Sequence, residues 1–183
     1  MTYMQYQHPE SADELLQCFD ESGKAISTHS RAEVHQNPLR YWHGVANIWL
    51  VNNKGQILSS RRANFLSGNP GKWQTYFGGH VKSGATFEES AVREIEEEIG
   101  LKINSKDLHL IDQGKNDEWK HLYKSYAMLF DKPLDILRFK DGEITEVKWL
   151  DFDKYNDLRK IENDKWCNGC NPDNQRKIKQ LVG

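Results

Sequence analysis

Apolar residues fall in short runs divided by turn chemistry. The densest run lies in residues 41–52, where Val45, Ile48, Trp49, Leu50 and Val51 are nearly continuous. Such a run predicts a strand buried on both faces. Asn53-Lys54-Gly55 then reads as a hairpin turn, and residues 56–61 as the returning strand. Weaker runs predict strands over residues 15–20, 108–111, 122–130 and 143–150. Residues 73–77 should be extended and lead straight into Gly78-Gly79. Ser30-Arg31-Ala32-Glu33 fits a capping box that opens a brief helix, limited by Pro38. Residues 172–181 read as a terminal helix with Pro172 near its start. Residues 1–14 are polar and should be ordered only by docking.

The period changes to that of a helix at Phe87–Ile99. Val92, Ile95 and Ile99 share one side and can pack on a core. Glu94, Glu97 and Glu98 fall within an arc of about 100° on the other side, and Gly100 ends the run. Strands on both sides of one central helix predict a mixed α/β layered domain. Residues 1–183 are expected to form one domain: an N-terminal extension to about residue 40, a core over 41–150 and a C-terminal helical segment over 151–183.

Composition narrows the function classes. A chain of 183 residues can bury a real core, and its six Trp, seven Tyr and seven Phe supply the means. The formal net charge of −2 gives no reason to expect a nucleic-acid or membrane partner held by bulk charge. The longest apolar stretch, residues 44–51, is too short to span a bilayer, and the N-terminus lacks the basic start and apolar core of a secretory signal. Three cysteines do not make a disulfide framework, so the expected compartment is a reducing cytoplasm.

Three carboxylates on one helical face repel one another, and only Arg93, at the i,i+4 spacing to Glu97, offsets them nearby. A bound divalent cation would turn the repulsion into attraction. The plainer alternative is a solvated acidic face.

Register favours the cation. Gly79, Arg93, Glu94, Ile95, Glu97, Glu98, Gly100 and Leu101 stand at the fixed positions of a longer pattern, G-x5-E-x7-R-E-U-x-E-E-x-G-U, with U aliphatic. This resembles the Nudix box, and Ala85 is the one departure, where the pattern has Glu. Further likeness, to Nudix proteins related to isopentenyl-diphosphate isomerase, runs through residues 30–35, Trp42-His43, the Gly55 hairpin, Arg61-Arg62 and residues 70–73.

The resemblance implies an α/β/α sandwich with a mixed sheet and the Nudix helix. It implies hydrolysis of a nucleoside diphosphate linked to another group, or a related small-molecule diphosphate, with Mg2+ or Mn2+. Metals neutralise charge on the phosphates and lower the pKa of bound water. By resemblance Glu94 and Glu98 are the main ligands, and Glu97 is a further ligand or positions water. Arg93 holds Glu97, and the carbonyl of Gly78 or Gly79 adds a ligand. Ala85 removes a carboxylate that usually braces the arginine, a loss that Glu88 or Glu89 is placed to make good. The general base is a box glutamate or a distant one. Asp141, Glu143 and Glu146 precede Trp149 in a stretch like the E-V-x-W strand of the fold, and Glu118 is a weaker candidate. Arg61 and Arg62 are candidate phosphate ligands, with a salt bridge as the alternative for Arg62. Trp73 either packs under its loop or stacks on a base. Substrate choice should fall to residues 64–72, 114–120 and 131–142. Nudix proteins often dimerise, so a homodimer is one expectation.

Isomerases of this type need a cysteine just before the Gly-His pair, and residues 73–80 contain none. Cys18, Cys167 and Cys170 are distant, which moves the chemistry from isomerisation to hydrolysis. His35, His43 and His80 nevertheless stand where the isomerase has three metal-binding histidines. The isomerase's two glutamate ligands do not reappear; that stretch holds Trp119 and His121. Histidines that only hydrogen-bond near the pocket are the plainer reading, and a second metal site is the alternative. Cys167-x-x-Cys170 is half a zinc knuckle and reads as a tail loop with free thiols. A non-catalytic Nudix module that binds a nucleotide or a protein is the competing class, but such a module should have lost box glutamates.

Overall fold

The computed structural model describes residues 12–66, 68–140, 142–167 and 169–182. Asp141 and most of the polar N-terminal stretch, residues 1–11, lie outside the described residues. The chain opens with strand β1 (Leu15–Phe19), strand β2 (Ala25–Ser30) and a one-turn helix α1 (Arg31–Val34). The capping box of α1 forms as expected: Ser30 and Glu33 satisfy each other's backbone N–H groups. Strands β3 (Trp42–Val51) and β4 (Gln56–Arg62) make the predicted hairpin. Strands β5 (Trp73–Gln74) and β6 (Phe77–His80) then lead into helix α2 (Phe87–Ile99). Strands β7 (His109–Asn116), β8 (His121–Leu129) and β9 (Ile144–Asp151) follow, then helices α3 (Phe152–Ile161) and α4 (Pro172–Lys179).

The long apolar strand is the hub of a mixed sheet. β8 runs parallel to β3 along nearly its whole length, from His43 opposite His121 to Val51 opposite Leu129. β6 pairs antiparallel with its middle, Val45 to Ile48, and β1 with its start. β4 departs from β3 after Ile57 and pairs instead with β9 and β5.

Alternation along β3 explains its unbroken apolar run. Ala46, Ile48 and Leu50 face a core built with Ala91, Ile95 and Ile99 of α2. Trp49 and Val51 face a second core with Phe152 and Tyr155 of α3 and Ile178 of α4. Neighbouring residues therefore point to opposite faces, and both faces are covered by helices. The result is the expected α/β/α layering. Fully burying Ile95 and Ile99 stabilises the α2 layer by about 1.5–3 kcal/mol each.

Three elements differ from the sequence-based expectation. β2 is an edge strand whose Ile26 is exposed, so it carries no apolar alternation to read. β7 continues to Asn116, because it pairs with β8 down to a short turn; Gly114, Lys115 and Asn116 belong to a strand, not to a specificity loop. The stretch over residues 73–77 is broken into two strands, β5 on β4 and β6 on β3, with Thr75 and Tyr76 between them.

Candidate active site

The acidic helix is held at both ends by local chemistry. Thr86 and Glu89 form a reciprocal capping box at its start, and Gly100 closes it in the left-handed conformation at φ 69°. The turn from β6 then brings backbone against the acidic face. Gly78 N–H donates to Glu98 Oε1 at 2.9 Å. A Cβ on Gly78, whose φ is 150°, would collide with the Ala46 carbonyl of β3, so β6 pairs there only as glycine. A Cβ on Gly79 would stand 2.6 Å from the carboxyl carbon of Glu94. The two glycines thus let the main chain settle against two carboxylates.

Arg93 ties the group together. It donates to Glu97 Oε2 at 2.7 Å and to the His80 carbonyl at 3.0 Å, and it lies 2.8 Å from Glu94 Oε1. Lys82 bridges Glu14 and Glu97 at 2.9 and 3.7 Å, and Glu14 also pairs with Arg31 at 3.0 Å. Burial pushes the Glu94 carboxyl up to about 7; Arg93 opposes this, while Glu97 and Glu14 add to it.

Glu88 and Glu89 do not replace the carboxylate missing at Ala85. Glu88 accepts from Tyr126 at 2.6 Å and Lys124 at 3.3 Å, and Glu89 is used by the helix cap. Ala85 instead packs among Phe19, Trp42 and Val81, and the His80 carbonyl takes a share of the arginine.

The remaining candidates form a second group. Arg61 on β4 lies opposite Trp73 on β5 and opposite Glu146 on β9, so the three make one cross-strand row. Arg61 and Glu146 are exposed, and Lys148 sits 3.6 Å from the centre of the half-buried Trp73 ring. Trp73 also packs beside Trp166, at 6.0 Å between rings. Arg62 donates to the Gly68 carbonyl at 2.9 Å and to Gln74 at 3.2 Å, so it anchors the loop after β4, and among the described residues it makes no salt bridge. Glu118 is exposed in the β7–β8 turn. No described hydrogen bond or ion pair joins Glu146 to the helix glutamates.

The histidines do converge. His35, His43 and His80 offer ring nitrogens that all lie within 4.8 Å of one another. His121 stands 5.6 Å from His43, ring to ring. The three cysteines are free and buried, and burial pushes Cys170 up to about 12, so its thiol stays protonated at neutral pH.

Tyr76 has no counterpart in the sequence-based site. Its phenol is raised by burial, and its ring packs 5.7 Å from that of Trp49 beside the second core. Only the break between β5 and β6 puts it there, and no local pattern announces that break. Glu14 and Lys82 were likewise invisible, because their link spans distant parts of the chain.

The NUDIX domain model matches residues 41–167. A Nudix hydrolase of Clostridium acetobutylicum is 34% identical over 116 residues, 62% of this chain and 54% of that one, so the match spans about half of that relative's length. An isopentenyl-diphosphate Delta-isomerase of Photorhabdus laumondii is 26% identical over 143 residues, covering 75% of this chain and 77% of that one. Among solved structures, DR0079 of Deinococcus radiodurans has a TM-score of 0.68 at 24% identity, covering 92% of this chain and 97% of that one, a likeness of fold. Among the described residues, no helix is long and apolar enough to cross a membrane.

Proposed function

The chain belongs to the NUDIX family, and from that premise we propose that it hydrolyses a phosphoanhydride bond of a small organic diphosphate, such as a nucleoside diphosphate derivative, with Mg2+ or Mn2+. One observation carries this reading: Glu94 and Glu98 meet the Gly78-Gly79 backbone, with Arg93 fixing Glu97 beside them. The donor set suits a hard cation, which prefers carboxylate and carbonyl oxygen. The carboxyl of Glu94, raised by burial and by its acidic neighbours, would be stabilised as an anion by such a charge.

When bound, the metal supplies charge neutralisation and a more acidic water. Glu94 and Glu98 would hold it, both seated against the Gly78-Gly79 backbone. Glu97, gripped by Arg93, positions a water or completes the ligand set. Arg61 binds phosphate, Trp73 shapes the pocket beside it, and Arg62 holds the neighbouring loop in place. Glu146, in the Arg61 row, is a base candidate if substrate spans both groups.

The three cysteines are buried and none lies in residues 73–80, just before the Gly79-His80 pair, which speaks against isomerase chemistry despite the isomerase-named relative. The reading is tested by phosphate release from a panel of nucleoside diphosphates, nucleotide sugars, dinucleotides and prenyl diphosphates. Glu97→Gln and Glu98→Gln should each abolish turnover with the fold intact. Activity that survives both changes defeats the assignment, and nucleotide binding without turnover on the whole panel would favour a binding module.

A further inference from the structure

Strand β1 is seated on the turn that joins β6 to α2. Gln17 N–H donates to the Val81 carbonyl at 2.8 Å and Ser83 N–H to the Leu15 carbonyl at 2.8 Å, so Leu16 and Lys82 pair as in an antiparallel ladder. Gly84 N–H donates to Gln17 Oε1 at 3.1 Å, and the hydroxyls of Ser83 and Thr28 are 2.9 Å apart. This turn carries the chain from β6 to the helix cap at Thr86. β1 and β2 lie outside residues 41–167, the span matched by the NUDIX domain model, yet they brace the turn that feeds the acidic helix.

The register brings a carboxylate from this N-terminal segment to the site. Glu14 directly precedes β1, and its carbonyl accepts from Arg31 N–H at 2.8 Å, which fixes its backbone. Its two carboxylate oxygens divide between two cations: Oε2 meets Arg31 at 3.0 Å and Oε1 meets Lys82 at 2.9 Å. Glu97 is divided in the same way. Its Oε2 takes Arg93 at 2.7 Å, and its Oε1 lies 3.7 Å from Lys82. Lys82 therefore stands between two carboxylates and leans to Glu14. Burial works against ionising Glu14, but Lys82 and Arg31 outweigh it and hold the carboxyl below its usual range. Glu14 is thus an anion at neutral pH and a lasting competitor for the lysine.

A lysine closed on Glu97 would occupy the oxygen that a cation or its water needs. An ammonium is a compact charge with three rotatable donors on a flexible stem, so its own geometry does not stop it from closing. We propose that Glu14 is a positioning residue for the glutamate site: it draws Lys82 off Glu97 and keeps Oε1 of Glu97 available to a divalent cation or its water. Glu14 acts through Lys82 and touches none of the helix glutamates. This role rests on the reading of Glu94, Glu97 and Glu98 as a metal site, and it adds a residue from outside the box.

Mn2+ titrated calorimetrically into the full-length protein, without substrate, tests this role. Glu98→Gln should abolish the binding, which marks it as that of the glutamates. Glu14→Gln should weaken Mn2+ affinity about fivefold, the size expected when a partly exposed ion pair must open for the ion to bind. Lys82→Met alone should not weaken it. Glu14→Gln combined with Lys82→Met should return to within about twofold of the parent, a rescue that a merely structural Glu14 would not give. Glu14→Gln combined with Arg31→Met controls for net charge, since it removes the other cation on Glu14, and it should stay weak. A Glu14→Gln affinity equal to the parent's overturns the proposal and leaves the metal site standing. So does a loss that Lys82→Met fails to repair, or that Arg31→Met repairs equally well. A parent that binds no Mn2+, or whose binding survives Glu98→Gln, overturns this role and the metal reading together.

Discussion

Arg93 donates to the backbone carbonyl of His80 at 3.0 Å, while the same guanidinium grips Glu97 at 2.7 Å. The acidic helix is thereby fastened to the strand that faces it. A lysine keeps the charge but has no planar fork to reach both groups and Glu94 at once. Arg93→Lys should therefore lower kcat by about 10- to 100-fold, as expected for a small misplacement of reacting groups. Thermal unfolding should change little. A variant with wild-type kcat would show that Glu97 does not depend on this grip.

The adjacent glycines should separate folding from chemistry. Gly78→Ala drives a methyl group into the fixed Ala46 carbonyl, at a backbone conformation that L side chains avoid. Its cost should be on the order of 3 kcal/mol or more, seen as a large drop in Tm or loss of soluble protein. Gly79→Ala meets only the end of the Glu94 side chain, which can swing aside. That variant should keep most of its stability and lose affinity for Mn2+, measured by calorimetric titration. Equal losses of Tm in the two variants would contradict this division.

Glu94 gives the metal-free protein a pH dependence whose sign is fixed by the shift. Its carboxyl is raised from 4.5 to about 7 in the folded state. Between those values the native state keeps a proton that the unfolded chain has released. The contribution is therefore complete below about pH 4.5 and is lost as pH rises through about 7, on the order of 3 kcal/mol in all. Tm of metal-free protein should carry this downward component from pH 5 to 7.5, and Glu94→Gln should remove it. Mn2+, which binds the anion, should raise Tm more at pH 7.5 than at pH 5.5. An identical pH profile in Glu94→Gln would sink the idea.

What could be read from sequence was local. The α2 boundaries follow from a capping box, a helical period and a left-handed glycine within one short stretch. β3 was legible because burial on both faces leaves an unbroken apolar run. β2, an edge strand, has no such constraint, and the polar end of β7 is held by hairpin pairing with β8 rather than by burial. In the site, the glutamates and Arg93 were legible through helical spacing. The Glu14–Lys82 link, the placing of Tyr76 and the partnership of His43 with His121 were not, since each depends on strand register between distant segments.

Arg61 and Arg62 are neighbours in sequence with opposite surroundings, and their variants should differ accordingly. Arg62 donates to the Gly68 carbonyl and to Gln74, so Arg62→Ala leaves two acceptors short and should cost about 1–2 kcal/mol. Arg61 is exposed between Trp73 and Glu146 and makes one bond to the loop, to the Gly71 carbonyl at 3.2 Å. Arg61→Ala should alter stability by no more than about 0.5 kcal/mol. If Arg61 meets substrate phosphate, KM should rise about tenfold while kcat holds, because the lost contact is shared by ground state and transition state. A fall in kcat with KM unchanged would instead place Arg61 on the reacting phosphate. Unchanged kinetics would remove it from the binding surface and leave the row of Trp73, Arg61 and Glu146 as packing at the sheet's end.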